Sequence, residues 1–101
     1  MLFVIHGIDK PGSPIRNQLI DEHRAYMDNG PVRVVGSGPL MDDQGEQMIG
    51  SVLIVDCEDR SAVDRLMADE PFNTAGLYES LTIHRWHQRV GNVDRDENAA
   101  Q

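Results

Sequence analysis

The hydrophobic residues of this chain change their period in a fixed order, and that order restricts the available folds more than any other feature. Leu2-Phe3-Val4-Ile5-His6-Gly7-Ile8 is an apolar run of strand length, suited to a strand covered on both faces. Asp9-Lys10-Pro11-Gly12-Ser13-Pro14 is a loop by its Pro and Gly content, and Ser13-Pro14 offers a helix start. Over Pro14–Asn29 the period lengthens. Ile15, Leu19, His23 and Met27 recur every four positions and fall on one helical face. Asn29-Gly30-Pro31 closes this helix, with Gly30 able to take a left-handed cap and Pro31 unable to continue. A second strand is predicted over Val32–Gly36, with Ser37-Gly38-Pro39 breaking it and Asp42-Asp43-Gln44-Gly45 forming a turn. Met48–Cys57 reads as a third strand, the hairpin partner of the second. Glu58-Asp59-Arg60-Ser61 carries cap chemistry for a second helix over Ser61–Glu70. Its stripe is Val63, Leu66 and Met67, continued by Glu70 before Pro71 ends it. Leu77–His87 alternates as a last strand.

The resulting order, β-α-β-β-α-β, is the split ferredoxin-like arrangement. It is an α+β fold in which two helices cover one face of a four-stranded antiparallel sheet. One domain is expected over residues 1–88, and residues 89–101 read as a polar, flexible C-terminal tail. On the last strand Leu77, Leu81 and Ile83 alternate with Tyr78, Ser80, Thr82, His84 and Trp86. The aliphatic side is assigned to the helices and the mixed side to a second subunit, because a bare sheet face exceeds the apolar patch of an ordinary monomer. A homodimer packed sheet against sheet follows, with pairing into higher oligomers left open.

Charge removes whole classes of function. Seventeen acidic residues against nine basic ones give a net charge of −8 over 101 residues, a surface that repels phosphate backbones and anionic membranes. No apolar run approaches the roughly 20 residues of a membrane span. Leu2–Ile8 is too short, and lacks the basic lead-in, for a secretory signal. The single cysteine, Cys57, rules out an internal disulfide framework, so a cytoplasmic location is expected.

Two ionisable residues stand where core residues belong. His23 sits within the stripe of the first helix, and Glu70 continues that of the second, so an imidazole and a carboxylate are available to one shared pocket. A neutral imidazole can exchange a proton near pH 7, and a carboxylate on one ring nitrogen fixes the tautomer and raises the basicity of the other. Arg16 lies two turns before His23 on the same face, and its planar fork suits a substrate carboxylate. These parts fit proton abstraction beside a carbonyl, and hence isomerisation, β-elimination or dehydrohalogenation of a small acid. A histidine on an apolar helical face also suits a plain hydrogen-bonded core position. His84 and His87, three apart on a strand, point to opposite faces and cannot share a metal.

A set of short motifs then brings a family into view. It comprises the opening strand ending in Asp9, Arg16 and His23 on the first helix, and Gly36-Ser37-Gly38-Pro39-Leu40. It continues with Ile49-Gly50-Ser51, Glu70-Pro71-Phe72 and Ala75-Gly76-Leu77-Tyr78-Glu79. In order and spacing these resemble the YCII (YciI-like) domain family of small bacterial proteins, from Met1 to about Trp86. The resemblance implies a ferredoxin-like fold assembled as a dimeric α/β barrel, related to muconolactone isomerase-like proteins, with an active site built on a histidine–aspartate pair. Carried over by position, the histidine falls on His23. The acid falls on Glu70, with Asp69 beside it and Asp9 as a third choice. Arg16, Asp9, Ser37 and His84 are the candidate substrate-binding residues. Two readings follow: a cofactor-independent enzyme of the isomerase, lyase or dehydrochlorinase kind acting on a small acid, or a non-catalytic ligand-binding accessory protein. The distance from His23 to its nearest carboxylate, and whether a cavity opens there, separates them.

Overall fold

The computed structural model describes residues 1–91, so the expected tail lies, from residue 92 on, outside the described residues. Its elements are β1 (Leu2–Asp9), α1 (Ile15–Asp28), β2 (Arg33–Met41), β3 (Met48–Asp56), α2 (Arg60–Asp69), α3 (Pro71–Thr74) and β4 (Tyr78–Trp86). The four strands form one antiparallel sheet in the order β2-β3-β1-β4, which is the ferredoxin-like topology. Among the described residues no helix is long and apolar enough to cross a membrane.

Alternation along β1 and β3 sorts the two faces of the sheet. Phe3, Ile5, Leu53 and Val55 point to the helices and are buried with Met27 of α1 and Val63, Leu66 and Met67 of α2. Burying each side chain of this size is worth about 1.5–3 kcal/mol, so this one layer holds both long helices down. Asp59 caps α2, its Oδ1 accepting from the Ala62 N–H at 3.0 Å. On the opposite face Leu2, Val4, Val52, Ile54 and Trp86 are only half-buried in the single chain.

Four local expectations change. β2 does not stop at Gly36 but runs on through Ser37-Gly38-Pro39 to Met41. It can do so because β2 is an edge strand, where proline's missing N–H costs no ladder bond, and a register shift between Val34 and Gly36 absorbs the irregularity. Gly30 is not left-handed. A Cβ there would lie 2.9 Å from the Tyr26 carbonyl oxygen, so close packing at the helix end is what calls for glycine. Glu70 does not continue the helical stripe. It is extended, φ −68° and ψ 127°, and forms the joint between α2 and a short α3 that the pattern did not reveal.

Tyr78 is the fourth. A register shift between Ile8 and Asp9 pairs Asp9 with Tyr78 and skips Glu79, so Tyr78 turns to the helix side and not to the mixed side. Gly7 makes the room: a Cβ on it would stand 2.6 Å from the Tyr78 ring.

Candidate active site

Six elements converge where α1 crosses the sheet near α3. Arg16 in the first turn of α1 is 7% exposed, so it does not snorkel to solvent. Its Nε and Nη2 grip the two oxygens of Asp9, at the end of β1, at 2.7 and 2.8 Å. This is the fork geometry that a lysine could not copy. Nη2 also donates to Ser51 Oγ of β3 at 2.8 Å. Burial works against the guanidinium charge, but the Asp9 carboxylate and the Tyr78 hydroxyl outweigh it and raise the Arg16 pKa.

Two turns along α1, His23 Nδ1 lies 2.8 Å from Glu70 Oε2. Glu70 is fully buried, and its place at the joint explains how that is tolerated. Oε2 also accepts from the Phe72 N–H at 2.9 Å, and Oε1 from the Asn73 N–H at 3.2 Å. The carboxylate thus caps α3 and holds His23 at once. Backbone N–H groups can only donate, so Glu70 meets them as an acceptor, and a proton on Nδ1 completes the third bond. That assignment leaves Nε2 of His23 as the ring's acceptor.

Phe72 is the platform beneath both side chains. The His23 ring stacks on it at 4.1 Å between centroids with 12° between planes, and the Arg16 guanidinium lies 4.8 Å over its centre. Tyr78 meets the same ring edge-on at 6.5 Å, and its hydroxyl donates to Ser51 Oγ at 3.0 Å. Burial, the largest influence, pushes the Tyr78 phenol up to about 12, with the Glu70 charge adding to it and the Arg16 charge opposing.

Above this layer is a cavity of about 220 Å³ lined by His23, Arg16, Ile20 and Arg24 of α1, Ser37, Gly38 and Pro39 of β2, and Met48, Ser51 and Leu53 of β3. Ser37 reaches it because its partner across the ladder is Leu53, which faces the helices. Of the residues singled out in the sequence, His23, Glu70, Arg16, Asp9 and Ser37 therefore come together. Two do not. Asp69, the last residue of α2, is exposed, because the extended turn at Glu70 sends the neighbouring side chain inward instead. His84 pairs with Val4, an outer-face position of β1, and so stands on the far side of the sheet from His23.

Ser51, Phe72 and Tyr78 were not foreseen in the site. Ser51 did leave a trace, a hydroxyl in the inward alternation Ser51-Leu53-Val55. Phe72 and Tyr78 depended on the short helix and the register shift, neither of which periodicity reports.

Residues 1–87 match the YCII-related domain, and the chain belongs to that family. Among solved structures it is similar to 5-chloro-2-hydroxyhydroquinone dehydrochlorinase (TftG) from Burkholderia phenoliruptrix AC1100, in complex with 2,5-dihydroxybenzoquinone. Identity there is 30% and the TM-score 0.80, over 88% of this chain and 96% of that one. It shares its fold with PA3566 from Pseudomonas aeruginosa, at 16% identity and TM-score 0.52, over 88% of this chain and 93% of that one. Among curated proteins none matches.

Proposed function

We propose that the protein catalyses proton abstraction, and with it elimination or isomerisation, on a small hydroxylated ring. His23 is the base, Glu70 orients it, and Arg16 offsets the negative charge. One observation carries this reading: His23 is held at 2.8 Å by a buried carboxylate and lines a cavity shared with Arg16 and Arg24. Arg24 and the Asp9-paired Arg16 both line the cavity and offer guanidinium groups that suit an acid or a phenolate. The size fits as well, since a cavity of roughly 150 Å³ accepts benzene and this one is about 220 Å³.

In the elimination, Nε2 of His23 takes a proton from a ring hydroxyl or from the carbon beside its ketone form. The freed electron pair makes a new double bond, and chloride leaves with the electrons of the C–Cl bond. One proton and one chloride depart and no electron passes to an outside acceptor, so the reaction needs no cofactor. The likeness to a dehydrochlorinase at 30% identity supports this class.

The experiment is anaerobic chloride release from 5-chloro-2-hydroxyhydroquinone, wild type against His23→Ala. Removing a general base costs about 10²–10⁴-fold in rate. Equal chloride release from both proteins would overturn the proposal.

The assembly we propose is a homodimer packing the open sheet face on its copy, which covers Val4, Val52, Ile54 and Trp86. Light scattering should then give twice the 11.3 kDa chain mass, and a monomer at micromolar concentration would refute it.

A further inference from the structure

Ser51 stands out because its hydroxyl oxygen accepts hydrogen bonds from two sides. Arg16 Nη2 donates to Ser51 Oγ at 2.8 Å, and a guanidinium has no acceptor to offer. With Arg16 already donating to Ser51 Oγ, the Tyr78 O–H makes a second bond to the same oxygen, at 3.0 Å. A serine oxygen has two lone pairs, and both are now used. Its own proton must point elsewhere. Ser51 is 4% exposed and lines the cavity that His23 lines, so the direction left is into that cavity.

We propose that the Ser51 hydroxyl donates a hydrogen bond to the ring oxygen that becomes negative when His23 removes the proton, making it an oxyanion donor of this site. The role rests on the acid–base reading above. Two donors converging on Ser51 Oγ polarise its O–H bond, and the Arg16 charge behind it is held in place by Asp9. The donor is aimed before any ligand arrives, which is the condition under which such groups are effective. It also sets specificity. A ring without an oxygen at that point would leave this buried donor unpaired, and such a mismatch is discriminated against strongly.

The test uses 2,5-dihydroxybenzoquinone as the probe, a vinylogous acid whose ionised oxygens carry the charge the elimination develops. Its affinity is measured by calorimetry for wild type, Ser51→Ala, Ser51→Cys and Tyr78→Phe, with melting curves of each. Ser51→Ala should bind about ten- to a hundredfold more weakly, and Ser51→Cys, which keeps a poor donor, should fall between. Tyr78→Phe should lose a few-fold. A purely structural Ser51 would instead lower the melting temperature in Ser51→Ala with affinity unchanged in the folded protein. Wild-type affinity in both Ser51 variants, alongside a chloride-release rate that still depends on His23, overturns the Ser51 role and leaves the base intact. No binding of the probe by wild type overturns the reading of the cavity itself.

Discussion

Replacing Glu70 with glutamine separates the two duties of one carboxylate, and each has a size that can be worked out. The side chain keeps its shape but trades one oxygen for an NH2 group. The least costly placement keeps the amide oxygen at the Oε2 position, where it still accepts from the Phe72 N–H and from His23 Nδ1. The amide nitrogen then faces the Asn73 N–H, donor against donor, at the position where the bond is now 3.2 Å. One unsatisfied donor in a site this enclosed costs about 1–3 kcal/mol, and in a domain of this size each kcal/mol moves the melting temperature by roughly 4–8 °C. A loss of about 2 kcal/mol therefore predicts a drop of roughly 8–16 °C.

The proposed catalytic duty fails differently. When His23 takes a proton, the imidazolium loses its neighbouring negative charge. At about 4 Å between charge centres and an effective dielectric constant of about 20 this is worth about 4 kcal/mol, close to three decades of rate. Thermal unfolding by circular dichroism reads the first effect and anaerobic chloride release the second. Nitrogen NMR of the imidazole should find the proton on Nδ1 in both proteins. A variant melting within 2 °C of wild type, with turnover within tenfold, would refute the account of Glu70. So would a wild-type ring protonated on Nε2 alone.

Three other perturbations check the surrounding geometry. Asp69→Asn should leave chloride release within about twofold and stability within about 0.5 kcal/mol, since surface changes away from special features rarely exceed that; a hundredfold loss would return Asp69 to the site. Tyr78 is an acid whose folded pKa of about 12 lies above the ordinary 10.0. The folded state keeps that proton longer, so its contribution of about 2–3 kcal/mol is complete below pH 10 and is lost as pH rises through 12. Urea titrations across that window should show a steeper alkaline loss in wild type than in Tyr78→Phe. Gly7→Ala places a methyl 2.6 Å from the Tyr78 ring. The ring must move off Ser51, so a loss of about 1–3 kcal/mol is expected, together with weaker 2,5-dihydroxybenzoquinone binding.

How much of this was legible in the sequence depends on the kind of information each residue carries. The strands and both long helices follow from hydrophobic period, and the period also placed Arg16 and His23 on one helical face. Glu70 was singled out for a reason that proved wrong in detail. It was read as the last step of a helical stripe, whereas an extended backbone at the start of a second short helix turns it inward. A polar residue before Pro71 is compatible with both readings, and only the fold of α3 decides between them. Register is the other blind spot. The skip at Glu79 moves Tyr78 across the sheet while leaving the alternation of Leu81 and Ile83 intact, so composition along β4 looks the same either way.

A fully buried acid at this place serves two elements at once. Glu70 accepts from two α3 backbone donors and from His23, so the proton on Nδ1 is fixed by the bonds that start α3. Phe72, carried by that helix, is in turn the surface on which His23 and Arg16 rest. The proposed base, the Arg16 cation and their support therefore depend on one four-residue helix. Any substitution that unwinds Pro71–Thr74 should abolish turnover in a protein whose sheet, held by Phe3, Ile5, Leu53 and Val55 against Val63 and Leu66, remains folded. Thr74→Pro is such a change: it removes the Thr74 N–H that donates to the Glu70 carbonyl at 2.9 Å, and a proline ring there clashes with that carbonyl. Loss of chloride release with strand amides still protected from hydrogen exchange is the expected result. Full turnover in that variant would show that α3 does not position the site.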